Sequence, residues 1–310
     1  MGQARHVIDP RMNLTLKKAF SLCVGELDQP VVTDYELARI LVDLFHTQRY
    51  KDDPISVRRE KFPDRKWYLA QRDYLLRTGI LTQDRQFPPK RVFTILGKKG
   101  GDPGDVACSV DPFCYISHLS AMAFHGITDR NPSILFISSP TLNSWKSFAE
   151  KRMAKELGDS YRNFHNSGLP CLRKIDFKGI GPFHIRRIPG IHTGAFKSVR
   201  GRKFRVSSIG RTFLDMLRTP GACGGMRHVV DVFEEHGERY ATLIIDEIDR
   251  HGNKIEKVRA GYLLEEYAGA SDPRIDGWLE HVQRGGSRKL DPEEEYSPDY
   301  SERWCLSINL

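Results

Sequence analysis

A chain of 310 residues with 39% hydrophobic and 28% charged side chains is long enough for two domains and apolar enough to give each a core. Its net charge of +8 makes an acidic partner such as nucleic acid a natural one. No run reaches the ~20 apolar residues of a membrane span. The opening Met1-Gly2-Gln3-Ala4-Arg5-His6 leads into polar sequence without a signal-type apolar stretch, so the chain is expected in the cytoplasm and off the membrane. Six scattered cysteines with no C-x-x-C pair read as buried thiols, not as a disulfide framework or a zinc site.

The charge is unevenly spread. Residues 151–214 hold 15 Lys+Arg against 3 Asp+Glu, whereas residues 215–310 hold 12 against 20. Gly97-Lys98-Lys99-Gly100-Gly101-Asp102-Pro103-Gly104-Asp105, with four Gly and one Pro, reads as a linker. It lacks the terminal Gly-Lys-Ser/Thr of a phosphate loop. The expected domains are therefore residues 1–96 and 106–310, joined by 97–105. Residues 285–302 read as a polar tail.

In the first domain, Leu16, Phe20, Cys23 and Leu27 recur at helical spacing between Asn13 and Leu27. Thr33-Asp34-Tyr35-Glu36 has the form of a capping box, opening a helix buried through Leu37, Ile40, Leu41, Leu44 and Phe45. Asp64 is the expected cap of a third helix that ends near Thr78 and Gly79. Ile80-Leu81 and Arg91–Leu96 read as strands around Thr82–Lys90. Three helices and a β-ribbon, in that order, predict a winged helix-turn-helix. On the third helix Trp67, Ala70, Tyr74 and Leu75 share one side, and Arg65, Tyr68 and Arg72 share an arc about 60° wide at 100° per residue. Arg65, Lys66, Tyr68, Gln71 and Arg72 are the expected DNA contacts, with Lys90 and Arg91 from the wing. Arginine pairs bidentately with guanine, and lysine neutralises phosphate.

Beyond the linker, Tyr115 to Ile127 contains a short helix in which small Ser120 and Ala121 permit close packing. His118 and His125 are seven apart, on one face. No third ligand lies near them, so hydrogen-bonded packing is expected ahead of a metal. Ile134–Ser138 reads as a buried strand, Trp145–Leu157 as a basic amphipathic helix and Phe183–Ile188 as another strand. Around Gly201, the segment 196–206 alternates apolar residues with Lys197, Arg200, Arg202, Lys203 and Arg205. This hairpin is either a second nucleic-acid surface or a charged edge that discourages strand pairing. Ser208 caps Ile209–Leu217, where an Arg211–Asp215 pair at i,i+4 accounts for both residues as a helix salt bridge. Met226–His236, Tyr240–His251, Lys254–Tyr267 and Asp276–Val282 read as helices. Asp246, Glu247 and Asp249 followed by Glu256-Lys257 superficially resemble a metal-nuclease set, but both stretches have helical spacing. No hydrolase elbow, zinc-protease, Rossmann or kinase motif is present, and neither a catalytic centre nor a cofactor or metal is expected.

The segment Tyr115-Ile116-Ser117-His118-Leu119-Ser120-Ala121-Met122-Ala123-Phe124-His125-Gly126-Ile127 resembles a motif of the AbiEi-family antitoxins of bacterial type IV toxin–antitoxin systems. Three later stretches are similar to that family in its order: Arg211-Thr212-Phe213-Leu214-Asp215, Pro220-Gly221-Ala222-Cys223-Gly224-Gly225, and Arg259-Ala260-Gly261-Tyr262-Leu263-Leu264-Glu265. Lys289-Leu290-Asp291-Pro292 with Arg303-Trp304 and Asn309 resembles the family's end. The likeness spans nearly the whole chain, although the setting of Cys114 and the basic 196–206 stretch lie outside the pattern. It implies an α+β fold, an N-terminal winged helix-turn-helix followed by a mixed α/β antitoxin domain with a helical C-terminal third. The motif residues Tyr115, Ser117, Ser120, His125, Arg211, Thr212, Asp215, Gly261 and Glu265 are its candidate antitoxin site. The implied role is dual. The protein would bind inverted repeats in double-stranded operator DNA to repress its own operon, and it would neutralise an AbiEii-type nucleotidyltransferase toxin in defence against phage, directly or indirectly. The alternatives are a transcription regulator with a C-terminal sensor or RNA-binding domain and, further off, a metal-dependent nuclease.

Overall fold

The computed structural model describes residues 14–57, 61–98, 101–190, 195–283 and 288–310. The start of the chain, Lys99-Gly100 of the expected linker and Gly285-Gly286-Ser287 of the expected tail lie outside the described residues. The fold is mixed α and β and divides into two units, residues 1–101 with 146–176 and residues 102–145 with 177–310. No helix among the described residues is long and apolar enough to cross a membrane.

The chain opens with β1 (Leu14–Thr15), α1 (Leu16–Gly25), β2 (Val31–Thr33), α2 (Asp34–Thr47), β3 (Arg49–Tyr50), β4 (Asp53–Ser56), α3 (Arg65–Arg77), β5 (Leu81–Gln83) and β6 (Val92–Ile95). β2, β6 and β5 form an antiparallel sheet in that order. Helix, strand, two helices and a hairpin closing on that strand make a winged helix. Thr15, Thr33 and Asp64 each accept a hydrogen bond from the backbone three residues on, satisfying an orphan N–H at the start of α1, α2 and α3. The expected capping box is only half formed, because Glu36 accepts from Gln29 Nε2 at 2.6 Å. Leu16, Ala19, Phe20 and Val24 of α1 pack with Leu37, Ile40, Leu41 and Leu44 of α2, each burial contributing about 1.5–3 kcal/mol for the larger side chains.

The second unit begins with α4 (Pro103–Val110), β7 (Tyr115–Ile116), α5 (His118–His125) and β8 (Ile134–Pro140). The expected linker therefore stops short of 105. Asp102 caps the backbone of Gly104, and Pro103 occupies the first helical position, where a missing N–H costs nothing. Next come α6 (Leu142–Leu157) and α7 (Tyr161–Asn166), and residues 146–176 belong to the first unit, not the second as the linker position suggests. Phe164 stands edge-on to Tyr35, ring centroids 6.0 Å apart, and Glu156 accepts from the Tyr35 hydroxyl at 2.7 Å.

The chain returns to the second unit as β9 (Gly179–Ile180), β10 (Phe183–Gly190), β11 (Phe196–Ser198) and β12 (Arg205–Ser207). These complete a six-stranded mixed sheet of order β11-β12-β7-β8-β10-β9, with β10 parallel to β8 over His184↔Ile134 to Gly190↔Pro140. The helical remainder is α8 (Ile209–Arg218), α9 (Met226–His251), α10 (Lys254–Glu266) and α11 (Pro273–Gly277). The two helices expected on either side of Gly237 are one helix of 26 residues. Val230, Phe233, Gly237, Ile244 and Ile248 keep a common buried side across the glycine, so packing outweighs its roughly 1 kcal/mol helix penalty. Asn253 and Glu256 form the capping box of α10. β13 (Tyr300–Ser301) and β14 (Leu306–Ser307) pair near the end, and Trp304 and Leu306 join the core of α8, α9 and α10.

Candidate nucleic-acid interface and a buried polar cluster

The expected DNA face of α3 is divided by the structure. Arg65 and Lys66 are exposed in its first turn, Lys90 is exposed on the wing, and Gln71 is half-buried. Tyr68 and Arg72, however, are 0% and 7% exposed, so their assignment as DNA contacts is corrected. With Leu75 they form an i, i+4, i+7 stripe that faces the core, while Ala70, expected inside, is exposed. The Tyr68 hydroxyl donates to the Asp34 carbonyl at 3.1 Å. The Arg72 guanidinium lies about 6 Å from the rings of Tyr68 and Phe93 and donates from Nε and Nη2 to Asp73 Oδ1 at 3.1 and 2.7 Å. Arg91 is half-buried and pairs with Asp34 at 2.8 Å. Burial raises the Asp34 carboxyl above its ordinary value, against the pull of Arg91 and Arg72.

Beside these residues lies a cleft of about 600 Å³ within the first unit, lined by α3, the wing and residues 165–173. The Arg65 N–H donates to the Ser167 carbonyl at 3.1 Å, which ties this later segment to the start of α3. Arg173 and His165 enter the cleft from it, and sequence reasoning missed both. The only hint was the cationic excess of residues 151–214.

In the second unit the first two resembling motifs converge. Tyr115 on β7, Ser117 and His118 opening α5, Ser138 on β8, Arg211 and Asp215 on α8, and Glu247 on α9 are all buried. Ser138 donates to Ser117 Oγ at 2.9 Å, and Ser117 Oγ lies 2.8 Å from His118 Nδ1. Burial, helped by Arg186, Arg211 and Arg218, pulls His118 down to about 3, so it is neutral. The Tyr115 hydroxyl meets the side chains of Arg211 and Ser138. Arg211 reaches Glu247 at 2.9 Å, closer than the 3.6 Å to its helical neighbour Asp215. The pair is thus part of a wider buried network and not a surface i,i+4 bridge. His125 donates from Nε2 to the Ser207 carbonyl at 2.7 Å, and Thr212 donates to the Ser208 carbonyl at 2.9 Å. Ser120 accepts from the Phe136 N–H at 3.0 Å, fixing α5 to β8.

Asp215 gives the second unit a pH dependence opposite in sign to that of His118. Its Oδ2 has no partner among the described residues, and burial pushes its carboxyl up to about 7 although Arg211 and Arg218 pull it down. The folded chain therefore holds this proton to near neutrality, while the unfolded chain releases it from about pH 4. Stability from this residue is fully present below that pH and is lost as pH rises toward 7, by at most on the order of 4 kcal/mol. His118, held neutral by burial, acts in the opposite direction up to about pH 6.5. Asp215→Asn is therefore expected to leave the rise from His118 unopposed, and urea-unfolding stability gains relative to the unaltered protein as pH increases from about 5 to 7.5. An unchanged pH profile in that variant would show that Asp215 is ionised throughout.

The last motif serves the tail. Arg259 donates to the carbonyls of Lys289 and Leu217 at 2.9 and 3.4 Å, and Glu265 accepts from Trp304 Nε1 at 2.7 Å and Arg303 Nε at 2.8 Å. A Cβ on Gly261 would lie 2.0 Å from the Trp304 ring, so only glycine admits the indole there. The motif and the resembling C-terminal residues are thus two halves of one packed contact.

The second basic surface is smaller than expected. Arg205 donates to the carbonyls of Cys114, Cys108 and Asp111 at 2.8, 3.1 and 3.0 Å, which satisfies the end of α4 and removes it from the surface set. Arg202 bridges Asp102 and Asp105 at 2.9 and 3.0 Å. Lys197, Arg200 and Lys203 remain exposed. Asp246, Asp249 and Glu256 lie on helices and are engaged by Arg274, Trp278 Nε1 and Arg218. No group of three or more His, Cys, Asp or Glu suited to a metal occurs among the described residues.

No family model matches the chain, and no curated protein matches it. Among solved structures it is similar to the RV2827C protein from Mycobacterium tuberculosis, with 15% identity, a TM-score of 0.48, and 96% of this chain and 92% of that chain covered.

Proposed function

We propose that this chain is a DNA-binding antitoxin of a bacterial abortive-infection system, acting in the cytoplasm without a catalytic step of its own. The winged helix binds inverted repeats upstream of its own operon and represses it, and the second unit neutralises an AbiEii-type nucleotidyltransferase toxin. The observation that carries the DNA half is the winged helix with Arg65 and Lys66 exposed in the first turn of α3 and Lys90 exposed on the wing. The toxin half rests on the resemblance and is supported by the meeting of residues from separate motifs, Tyr115, Ser117, Arg211 and Asp215, in one buried cluster.

A gel-shift titration of the full chain tests this, with its own upstream DNA against a scrambled duplex at two salt concentrations. Selective binding is expected to survive the higher salt, because base contacts do not release counterions. Arg65→Ala with Lys66→Ala is expected to weaken operator binding by roughly 10- to 100-fold while leaving rescue from the toxin intact. Equal, salt-sensitive binding of both duplexes by the unaltered protein removes the repressor reading. Arg72→Ala is not a clean test, since it takes a stacked side chain out of the core.

A further inference from the structure

We propose that the cleft between α3, the wing and residues 165–173 is a phosphate-binding site for a nucleotide unit, either free or within a nucleic-acid strand, and that Arg173 is one of its ligands. Five cations line it, Arg65, Arg72, Lys90, Arg91 and Arg173, against two carboxylates, Asp34 and Asp73. Those carboxylates are spent on Arg91 and Arg72 at 2.8 and 2.7 Å. Arg65, Lys90 and Arg173 have no ion-pair partner among the described residues. Like charges gathered around one cleft repel each other, and an anion is what relieves them.

The geometry is suited to phosphate in two further ways. Arg72 is nearly buried and held between two rings, and Asp73 takes Nε and Nη2, so Nη1 is left without a hydrogen bond among the described residues. A guanidinium fixed in this manner loses little freedom when it meets an anion. Lys90 sits at a backbone φ of +62°, its N–H fixed to Gln83 Oε1 at 2.7 Å, which sets where the lysine leaves the wing. Leu69, Pro89 and Pro170 add apolar wall beside the cations and His165, and the cleft of about 600 Å³ is within the range of small-ligand pockets. Charged donors beside apolar walls match a phosphate attached to a sugar and base better than a bare anion. Arg173 belongs to the segment that follows α7, so the site extends beyond the winged helix itself.

The strand form of this proposal rests on the DNA-binding reading; the free-nucleotide form does not. The test uses the full chain and Arg173→Ala, an exposed residue whose loss leaves the core untouched, with Lys151→Ala as an exposed cation outside the cleft. AMP and inorganic pyrophosphate are titrated calorimetrically, and a duplex of the upstream DNA is titrated by fluorescence polarisation at several salt concentrations. Roughly tenfold weaker AMP binding in Arg173→Ala, with the Lys151 variant unaffected, supports the free-nucleotide source. A salt slope of duplex binding lower by about one supports the strand source. If Arg173→Ala changes neither, or if Lys151→Ala changes them equally, the proposal is overturned. Selective duplex binding that ignores Arg173 leaves the repressor reading standing alone, and AMP binding without any duplex selectivity leaves the cleft standing alone.

Discussion

Gly210→Ala is expected to destabilise the second unit by about 3 kcal/mol, although alanine is the better helix former. Gly210 lies in the first turn of α8, where that helix crosses α9. A Cβ there would stand 2.2 Å from the Leu243 carbonyl oxygen and 2.9 Å from Glu247 Cβ. The nearest atom is backbone of a long helix, so no rotamer change relieves the clash, and the two helices have to move apart. Separation would also loosen the Arg211–Glu247 contact one residue on. The measurement is urea unfolding with far-UV circular dichroism. Gains and losses have opposite signs here, so the result is decisive: a variant more stable by ~1 kcal/mol would show propensity acting alone and would remove the close crossing.

Arg211→Met is expected to cost roughly 3–5 kcal/mol, the penalty for leaving buried carboxylates without their cation. Arg211 is 1% exposed and stands between Glu247 and Asp215, themselves 9% and 6% exposed. Removing it leaves Glu247 with an uncompensated charge and drives the Asp215 carboxyl further above its raised value. Arg211→Lys is expected to recover only part of the loss, because one ammonium cannot address both carboxylates and the Tyr115 hydroxyl with fixed geometry. Adding Glu247→Gln to Arg211→Met is expected to restore more than half of the stability, which a double-mutant cycle reads as strong coupling. Additive losses would place the two side chains in separate environments.

The winged helix is legible in the sequence because each element carries its own local mark. Thr33 and Asp64 cap helices, Leu37, Ile40, Leu41 and Leu44 repeat at helical spacing, and a β-branched and aromatic run marks residues 92–95. The sides of α3 are less legible. Tyr68 and Arg72 are amphipathic side chains, apolar along most of their length, and binary patterning assigns them to solvent. What hides them is tertiary: the Asp34 carbonyl receives one, and two rings with Asp73 hold the other. The buried network of Arg211, Asp215 and Glu247 is half visible, since i,i+4 spacing announces the first two and nothing local announces a partner on another helix. Arg173 is invisible for the same reason. Its segment joins the first unit through contacts such as Tyr35 with Glu156, 121 residues apart, and periodicity carries no information at that range. Arg205 reads as surface charge until the three carbonyls it serves are known.

The first unit is written in two stretches of the chain, 1–101 and 146–176, and that order has a consequence for synthesis. A nascent chain that has emerged only to residue 101 has the helices and hairpin of the winged helix but lacks Phe164 beside Tyr35 and the Ser167 carbonyl that receives the Arg65 N–H. At ~5–20 residues per second, the ribosome takes several more seconds to deliver them. Helix α3 therefore gains its last partners late, when more than half of the polypeptide exists, and a protein truncated before residue 164 is made without them.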